Sequence, residues 1–155
     1  MRPTTERARE AVFSILGEIG GARVLDLFCG SGALGIEALS RGAAHATFVD
    51  TDPDAARRNV EQLGLIERAD IVRSDAARYL AASDQAFDLI LCDPPYKLAD
   101  RFAAELDPSI RDRLAEGARV IVESSPKSPL ELSLPMRLER RYGETLVRVY
   151  QVEAQ

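Results

Sequence analysis

Apolar positions along the chain follow two periodicities that alternate from one end to the other. Ala8, Ala11, Val12, Ile15, Leu16 and Ile19 recur at the 3.6-residue spacing of a helix with one buried face. Thr4 or Thr5 is placed to cap it, Glu6 suits its first turn, and Gly20-Gly21 is expected to end it. Val24 to Phe28 is a short apolar run, read as a strand, and the segment beyond the next glycine turn is a helix with Glu37 and Arg41 at i,i+4 before a stop at Gly42. Ala46 to Val49 is a second strand. Asp52 then reads as an N-cap and Pro53 as the first helical residue, with Ala56, Val60 and Leu63 on one face and Gly64 at the stop. A short strand at Ile71-Val72 leads through Ser74-Asp75 into a helix running through Leu80. Phe87 to Leu91 is nearly unbroken in its apolarity, as a strand buried on both faces of a parallel sheet must be. Residues 98–114 suggest two helical pieces broken at Pro108, and Val120 to Val122 a fifth strand. Pro126, Pro129 and Pro135 exclude regular structure between Ser125 and Pro135. Arg137 to Tyr142 and Leu146 to Val152 alternate with period two around Gly143-Glu144, the pattern of an antiparallel hairpin.

Strands alternating with helices and ending in a hairpin predict an α/β fold, a doubly wound and mainly parallel sheet that binds its ligand at the carboxyl ends of the strands. At 155 residues the whole chain, 1–155, is expected to be one domain. No apolar run approaches the ~20 residues of a membrane span, and no signal-peptide pattern is present. Cys29 and Cys92 lack metal or redox spacing and each ends a strand-like run, which favours reduced core thiols in a cytoplasmic protein. The formal net charge of −5 matters more, because a protein whose main partner is naked nucleic acid usually carries a basic face. Positive charge is nevertheless grouped: Arg2, Arg7 and Arg9 at the start, and Arg137, Arg140, Arg141 and Arg148 near the end.

Candidate chemistry begins at the glycine turn. Gly30-x-Gly32-x-x-Gly35 matches the dinucleotide-binding fingerprint, and Asp50 follows Gly30 at the distance expected of a ribose-binding acid. Asp26 argues against a dinucleotide, since a carboxylate at the mouth of the loop repels a pyrophosphate. The same carboxylate suits a ligand with a cationic end, and S-adenosylmethionine has an α-ammonium and a sulfonium but no phosphate. A tight strand-to-helix turn that needs glycines with no ligand at all is the plain alternative. Asp26, Asp50, Asp75, Asp93 and Tyr96 all fall at or just past predicted strand ends.

Asp93-Pro94-Pro95-Tyr96 is the more specific signal. Two prolines fix the backbone so that the Pro94 carbonyl points outward, and an aspartate beside a fixed carbonyl offers two acceptors for the two hydrogens of an exocyclic amine. Tyr96 supplies a flat face for a base. A proline-rich exit turn whose tyrosine covers the core is the competing reading.

Ile90 to Tyr96 resembles the fourth motif of S-adenosylmethionine-dependent amino-methyltransferases, and Asp26 to Gly32 resembles their first. Arg2-Pro3-Thr4-Thr5-Glu6-Arg7-Ala8-Arg9-Glu10 and Gly32 to Gly42 extend the likeness to the bacterial 16S ribosomal RNA guanine-N2 methyltransferase family (RsmD type), over nearly the whole chain. That resemblance implies a Rossmann-like class I methyltransferase fold and S-adenosyl-L-methionine as cofactor. It places Asp26, Phe28, Gly30 and Gly32 around the methionine part, Asp50 on the ribose, and Asp75 with the Ala76 N–H on the adenine. Asp93, Pro94 and Tyr96 then face the target base, and Thr5 and Arg7 close over the cofactor. The implied partner is ribosomal RNA, within a small subunit or an assembly intermediate, with no membrane and no metal. Members of the family commonly carry a basic segment ahead of the Arg2 to Thr5 motif, so binding of this chain to naked RNA is expected to be weak and salt-sensitive.

Four other readings compete. An NAD oxidoreductase accounts for the glycines and Asp50 but not for Asp26 or the Pro-Pro-Tyr turn. A cytosine-C5 methyltransferase needs a cysteine nucleophile, for which Cys92 is badly placed. An amino-methyltransferase acting on DNA, at adenine N6 or cytosine N4, or on a protein amide shares the same chemical core. A silent binding module has no use for Asp93 to Tyr96. His45, the only histidine, begins the second strand away from this end and reads as structural.

Overall fold

The computed structural model describes residues 6–95 and 105–152. In chain order it contains α1 (Glu6–Leu16), β1 (Arg23–Leu27), α2 (Ala33–Ser40), β2 (His45–Asp50) and α3 (Asp54–Gln62), then β3 (Ala69–Arg73), α4 (Ala76–Ala82) and β4 (Phe87–Cys92). After these come α5 (Asp107–Asp112), β5 (Leu114–Ser124), β6 (Met136–Tyr142) and β7 (Thr145–Gln151). The strands form one seven-stranded sheet in the order β3-β2-β1-β4-β5-β7-β6. β1 to β5 run parallel, and β7 pairs antiparallel with both β5 and β6. The doubly wound reading is borne out, and the terminal hairpin is inserted so that its second strand joins the parallel sheet.

Period-two alternation divides the core between the two faces of the sheet. Val24, Phe48, Leu89, Leu91, Ile121, Val147 and Val149 pack with Val12, Phe13 and Leu16 of α1, Ala38 of α2 and Val60 of α3. Their neighbours Leu25, Leu27, Val49, Ile90, Val120, Val122 and Tyr150 pack with Leu80 of α4 and Ile110 of α5. The chain order reverses between β1 and β4, which is where an open α/β sheet leaves a crevice at its carboxyl edge.

Several boundaries differ from the pattern-based expectation, each for a local reason. α1 stops at Leu16, because Gly17 takes the left-handed φ of 65° and its N–H closes on Phe13 O at 3.0 Å. Arg119 of β5 then donates to Leu16 O at 3.0 Å. Ile19 is still buried, so the helical stripe ran on past the true end of the helix. α3 begins one residue later than expected: Pro53 is its cap, and Asp52 accepts the Asp54 N–H at 3.3 Å in a local turn. Pro108 sits in the first turn of α5 and starts a helix where a break was expected. The first of the two expected helical pieces falls largely outside the described residues. β5 is eleven residues long, far beyond Val120 to Val122, since its early part is mostly partly buried and Glu116, Gly117 and Arg119 interrupt any apolar run there. The Arg41–Glu37 pair forms as expected at 2.8 Å, and His45 lies 3.4 Å from Asp70, in a structural place.

Gly35 marks the tightest junction between helix and sheet. A Cβ there would lie 2.4 Å and 2.8 Å from the ring of Phe48, itself fully buried on β2. Gly35→Ala should therefore destabilise the protein by about 1–3 kcal/mol through overpacking. Thermal denaturation should show a lowered Tm that Phe48→Leu in the same chain partly restores. An unchanged Tm would contradict the packing argument.

Candidate active site

The carboxyl end of β1 is built from backbone conformations that most residues avoid. Phe28 has φ 57°, Gly30 φ 55° and Gly32 φ 83°. A bulky residue at positive φ is an outlier costing of order 1–3 kcal/mol, so the surroundings must hold it. They do so through a set of bonds that stitch the loop to β2 and α3. Cys29 N–H donates to Val49 O at 3.1 Å, and Gly32 N–H to Cys29 O at 2.8 Å. Gly30 N–H donates to Asp50 Oδ2 at 2.9 Å, and Asn59 of α3 to Ser31 O at 2.9 Å. Asp50 thus has a structural duty that the spacing of acid and glycine did not reveal. Its Oδ1 also accepts the Asp52 N–H at 3.1 Å.

Asp26 is 2% exposed, and its Oδ2 accepts the Gly35 N–H at 3.0 Å. Gly35 is the third residue of α2, and Gly32, the cap position, has no side chain, so a carboxylate from the neighbouring strand performs the cap's work. The Gly35 N–H that a pyrophosphate would need at this helix N-terminus is already taken by a carboxyl oxygen, and the dinucleotide reading fails on that geometry. Burial pushes the Asp26 carboxyl well up from its ordinary value; the Gly35 hydrogen bond opposes this, and the charges of Asp93 and Asp50 add to it. Asp93 follows β4 and is partly buried, as are Pro94 and Pro95. Strand pairing therefore brings Asp26, Asp50 and Asp93 from three strand ends into one acidic crevice.

The remaining expected residues divide. Asp75 is exposed and caps α4, its Oδ1 accepting the Arg78 N–H at 2.8 Å, and Ala76 opens that helix and is buried. Arg7 lies on the exposed side of α1, and among the described residues no hydrogen bond or ion pair ties it to the glycine loop. Thr5 and Tyr96 lie outside the described residues. Pattern reading missed Glu123 and Ser124, which end β5 beside the Asp93 strand and are 1% and 7% exposed. The signal was available, since Glu123 follows the apolar run Val120 to Val122 as Asp50 and Asp93 follow theirs.

Cys29 and Cys92 are free and buried. Burial raises both thiols, helped at Cys92 by the charges of Asp93, Asp26 and Glu123. Neither carries appreciable thiolate near neutrality, which removes the nucleophile a cytosine-C5 mechanism requires. Among the described residues no group of His, Cys, Asp and Glu is arranged to hold a metal ion.

A family model described as Conserved hypothetical protein 95 matches residues 1–151. Ribosomal RNA small subunit methyltransferase D of Escherichia coli K12 is 36% identical over 165 residues, covering 100% of this chain and 81% of that protein. The chain belongs to this methyltransferase family. The resemblance carried by Arg2 to Glu10 and Gly32 to Gly42 is thereby borne out. A conserved hypothetical protein of Streptococcus pyogenes superposes with TM-score 0.84 at 32% identity, over 94% of this chain and 95% of that one. An RNA methyltransferase of Salinibacter ruber in complex with S-adenosyl-L-homocysteine shares the fold, with TM-score 0.76 at 16% identity over 99% and 95%.

The burial of Asp26 has a consequence for stability. A carboxyl whose pKa is higher folded than unfolded holds its proton more tightly in the native state, so its contribution is greatest in acid and is lost as pH rises through the folded value. Asp26→Asn keeps an oxygen for the Gly35 N–H and carries no charge. In cofactor-free protein the variant should match the wild type near pH 4 and exceed its Tm at neutral pH by a few degrees, the shift that about 1 kcal/mol produces in a chain of this size. Differential scanning calorimetry across pH checks this; a wild type more stable than Asp26→Asn at neutral pH would count against the buried-charge account.

Proposed function

We propose that the chain transfers a methyl group from S-adenosyl-L-methionine to the exocyclic N2 amine of a guanine in 16S ribosomal RNA. The observation that carries this reading is the placement of Asp93, at the exit of β4, close enough to Asp26 for its charge to bear on that buried carboxyl. A cofactor site and an amine-recognition motif then share one crevice.

The donor set fits a ligand that is cationic at one end and hydroxylated at the other. Asp26 is the carboxyl placed for the α-ammonium, while Asp93 is kept for the target amine. Asp50 accepts the Gly30 N–H on Oδ2 and, on Oδ1, the Asp52 N–H with a long 3.5 Å contact from the Thr51 hydroxyl, which leaves acceptor capacity for a ribose hydroxyl. Asp75 caps α4 with Oδ1 and keeps its second oxygen for an adenine amine beside the Ala76 N–H. Phe28, Gly30 and Gly32 form the turn against which the methionine part lies, and Thr5 and Arg7 belong to the segment proposed to close over it.

When bound, S-adenosyl-L-methionine supplies an electrophilic methyl group on a sulfonium with a neutral leaving group. The chain's own part is positioning and charge. Guanine N2 is a poor nucleophile because its lone pair is delocalised into the ring. The Asp93 carboxylate and the Pro94 carbonyl, by accepting its two hydrogens, favour a more pyramidal nitrogen and stabilise the positive charge that develops there. Tyr96 provides the stacking surface, and a paired base must leave its helix to reach it.

Ribosomal RNA as partner is supported by the likeness to the Escherichia coli ribosomal RNA small subunit methyltransferase D. The charge distribution supports few phosphate contacts. Arg7, Arg137, Arg140 and Arg141 are exposed, but Arg148 is turned inward, its side chain 13% exposed and its Nε 2.7 Å from Glu139. Arg9 is drawn toward Glu37 at 4.0 Å. A target already shaped by ribosomal proteins supplies what charge does not.

Asp93→Ala should leave cofactor affinity nearly unchanged and reduce methyl transfer about 100-fold or more. Tritiated methyl transfer to small-subunit particles, followed by nucleoside analysis for N2-methylguanosine, reads both rate and base; N6-methyladenosine or N4-methylcytidine as product would replace the guanine assignment. Affinity for naked RNA should fall steeply over a modest salt series, with a slope set by Arg7 and the β6 arginines, Arg137, Arg140 and Arg141. Tight binding insensitive to salt would contradict this.

A further inference from the structure

We infer that filling the cofactor site is coupled to the loss of one proton from Asp26, so that the site is protonated when empty and anionic when loaded. This rests on the cofactor reading above and adds to it a thermodynamic link that the family resemblance does not contain. The geometry is the starting point. Asp26 is nearly fully buried, and its identified hydrogen bond is to the Gly35 N–H, a neutral donor. Strand pairing sets β2 and β4 on either side of β1, with Leu27 opposite Val49 and Cys92, so Asp50 and Asp93 follow next to it at the same sheet edge, and the charge of Asp26 bears on the thiols of Cys92 and Cys29. Glu123 extends the same negative field from β5 to Cys92. On the helical side, the charged residue of α2, Glu37, is engaged with Arg41 at 2.8 Å and Arg9 at 4.0 Å. Among the described residues neither Asp26 nor Asp50 forms an ion pair with a basic side chain.

Where carboxyl groups crowd one sheet edge, ionisation is most costly at the one most removed from water. Asp26 is the most desolvated of Asp26, Asp50 and Asp93, and the carboxyl raised by both others. The arrival of an α-ammonium supplies the missing cation beside it and reverses the balance, so the carboxyl ionises and its proton leaves to solvent. Over the interval between the empty-site and loaded-site pKa values, affinity must then rise with pH, about tenfold per unit for one proton released, and level off above the upper value. A ligand with the same nucleoside but no amino-acid end has no cation to offer and releases nothing.

Isothermal titration calorimetry on the full chain tests this at about pH 6, where the α-amino group of the ligand is still cationic. S-adenosylhomocysteine and 5′-methylthioadenosine are each titrated in phosphate and in imidazole, buffers of different ionisation heat. With S-adenosylhomocysteine the heats should differ between buffers in the sense of proton release, by up to the equivalent of one proton. With 5′-methylthioadenosine they should agree. Asp26→Asn should bind S-adenosylhomocysteine with equal heats in both buffers and a flat pH dependence. Binding of S-adenosylhomocysteine to the wild type without proton release, or proton release that persists in Asp26→Asn, would overturn the inference while leaving the cofactor reading intact. Absence of binding by both ligands would overturn the cofactor reading and the inference with it.

Discussion

The hydrogen bond from the Gly35 N–H to Asp26 Oδ2 holds the first helix of the doubly wound unit onto its first strand, and the rest of the crevice depends on it. Gly32 cannot cap α2 with a side chain, so the helix start is secured from β1. The same contact requires α2 to approach the sheet closely. Gly35 makes that possible, since any Cβ would enter the Phe48 ring, and Phe48 pairs with Asp26 across β1 and β2. Fixing α2 in turn fixes the loop between Phe28 and Gly32, whose positive φ angles persist because Val49, Asp50 and Asn59 anchor its backbone.

A buried acid in that position gives stability to one contact and withdraws it through another. The hydrogen bond favours ionised Asp26, but burial and the two neighbouring carboxylates oppose it more strongly. Strain and uncompensated charge at a strand end are tolerable when the two-sided core beneath is well packed, and here apolar side chains fill both faces of the central strands. On the function we propose, this edge receives a cationic, hydroxylated ligand rather than phosphate, and that separates it from the dinucleotide sites that share its glycine spacing.

The hairpin arginines illustrate how pairing decides function for residues of one chemical type. β6 is the edge strand, so Arg137, Arg140 and Arg141 remain accessible. Arg148 lies on β7, between two strands, where Glu139, Tyr150 and the Leu130 carbonyl engage it. No helix among the described residues is long and apolar enough to cross a membrane.

Element types and their order were legible in the sequence because each strand that enters the site carries an apolar run ended by a distinctive residue: Asp26 and the glycines after β1, Asp50 after β2, Asp93-Pro94-Pro95 after β4. Local signals of that kind act within a few residues and survive without tertiary context. They failed at α1, where an apolar stripe outlasted the helix, and along the early part of β5, where Leu114 pairs with Phe87 of β4 ahead of the apolar run. The double duty of Asp50, the capping of α2 by Asp26 and the burial of Glu123 were not legible, since each depends on which strands become neighbours. The sequence by itself determined the fold class, the family and the acids at the strand ends. Only the tertiary structure decided that Asp26, Asp50 and Asp93 meet at one sheet edge and that Asp26 and Glu123 are buried there, because their neighbours and their hydrogen bonds exist only after β1, β2, β4 and β5 have been placed side by side.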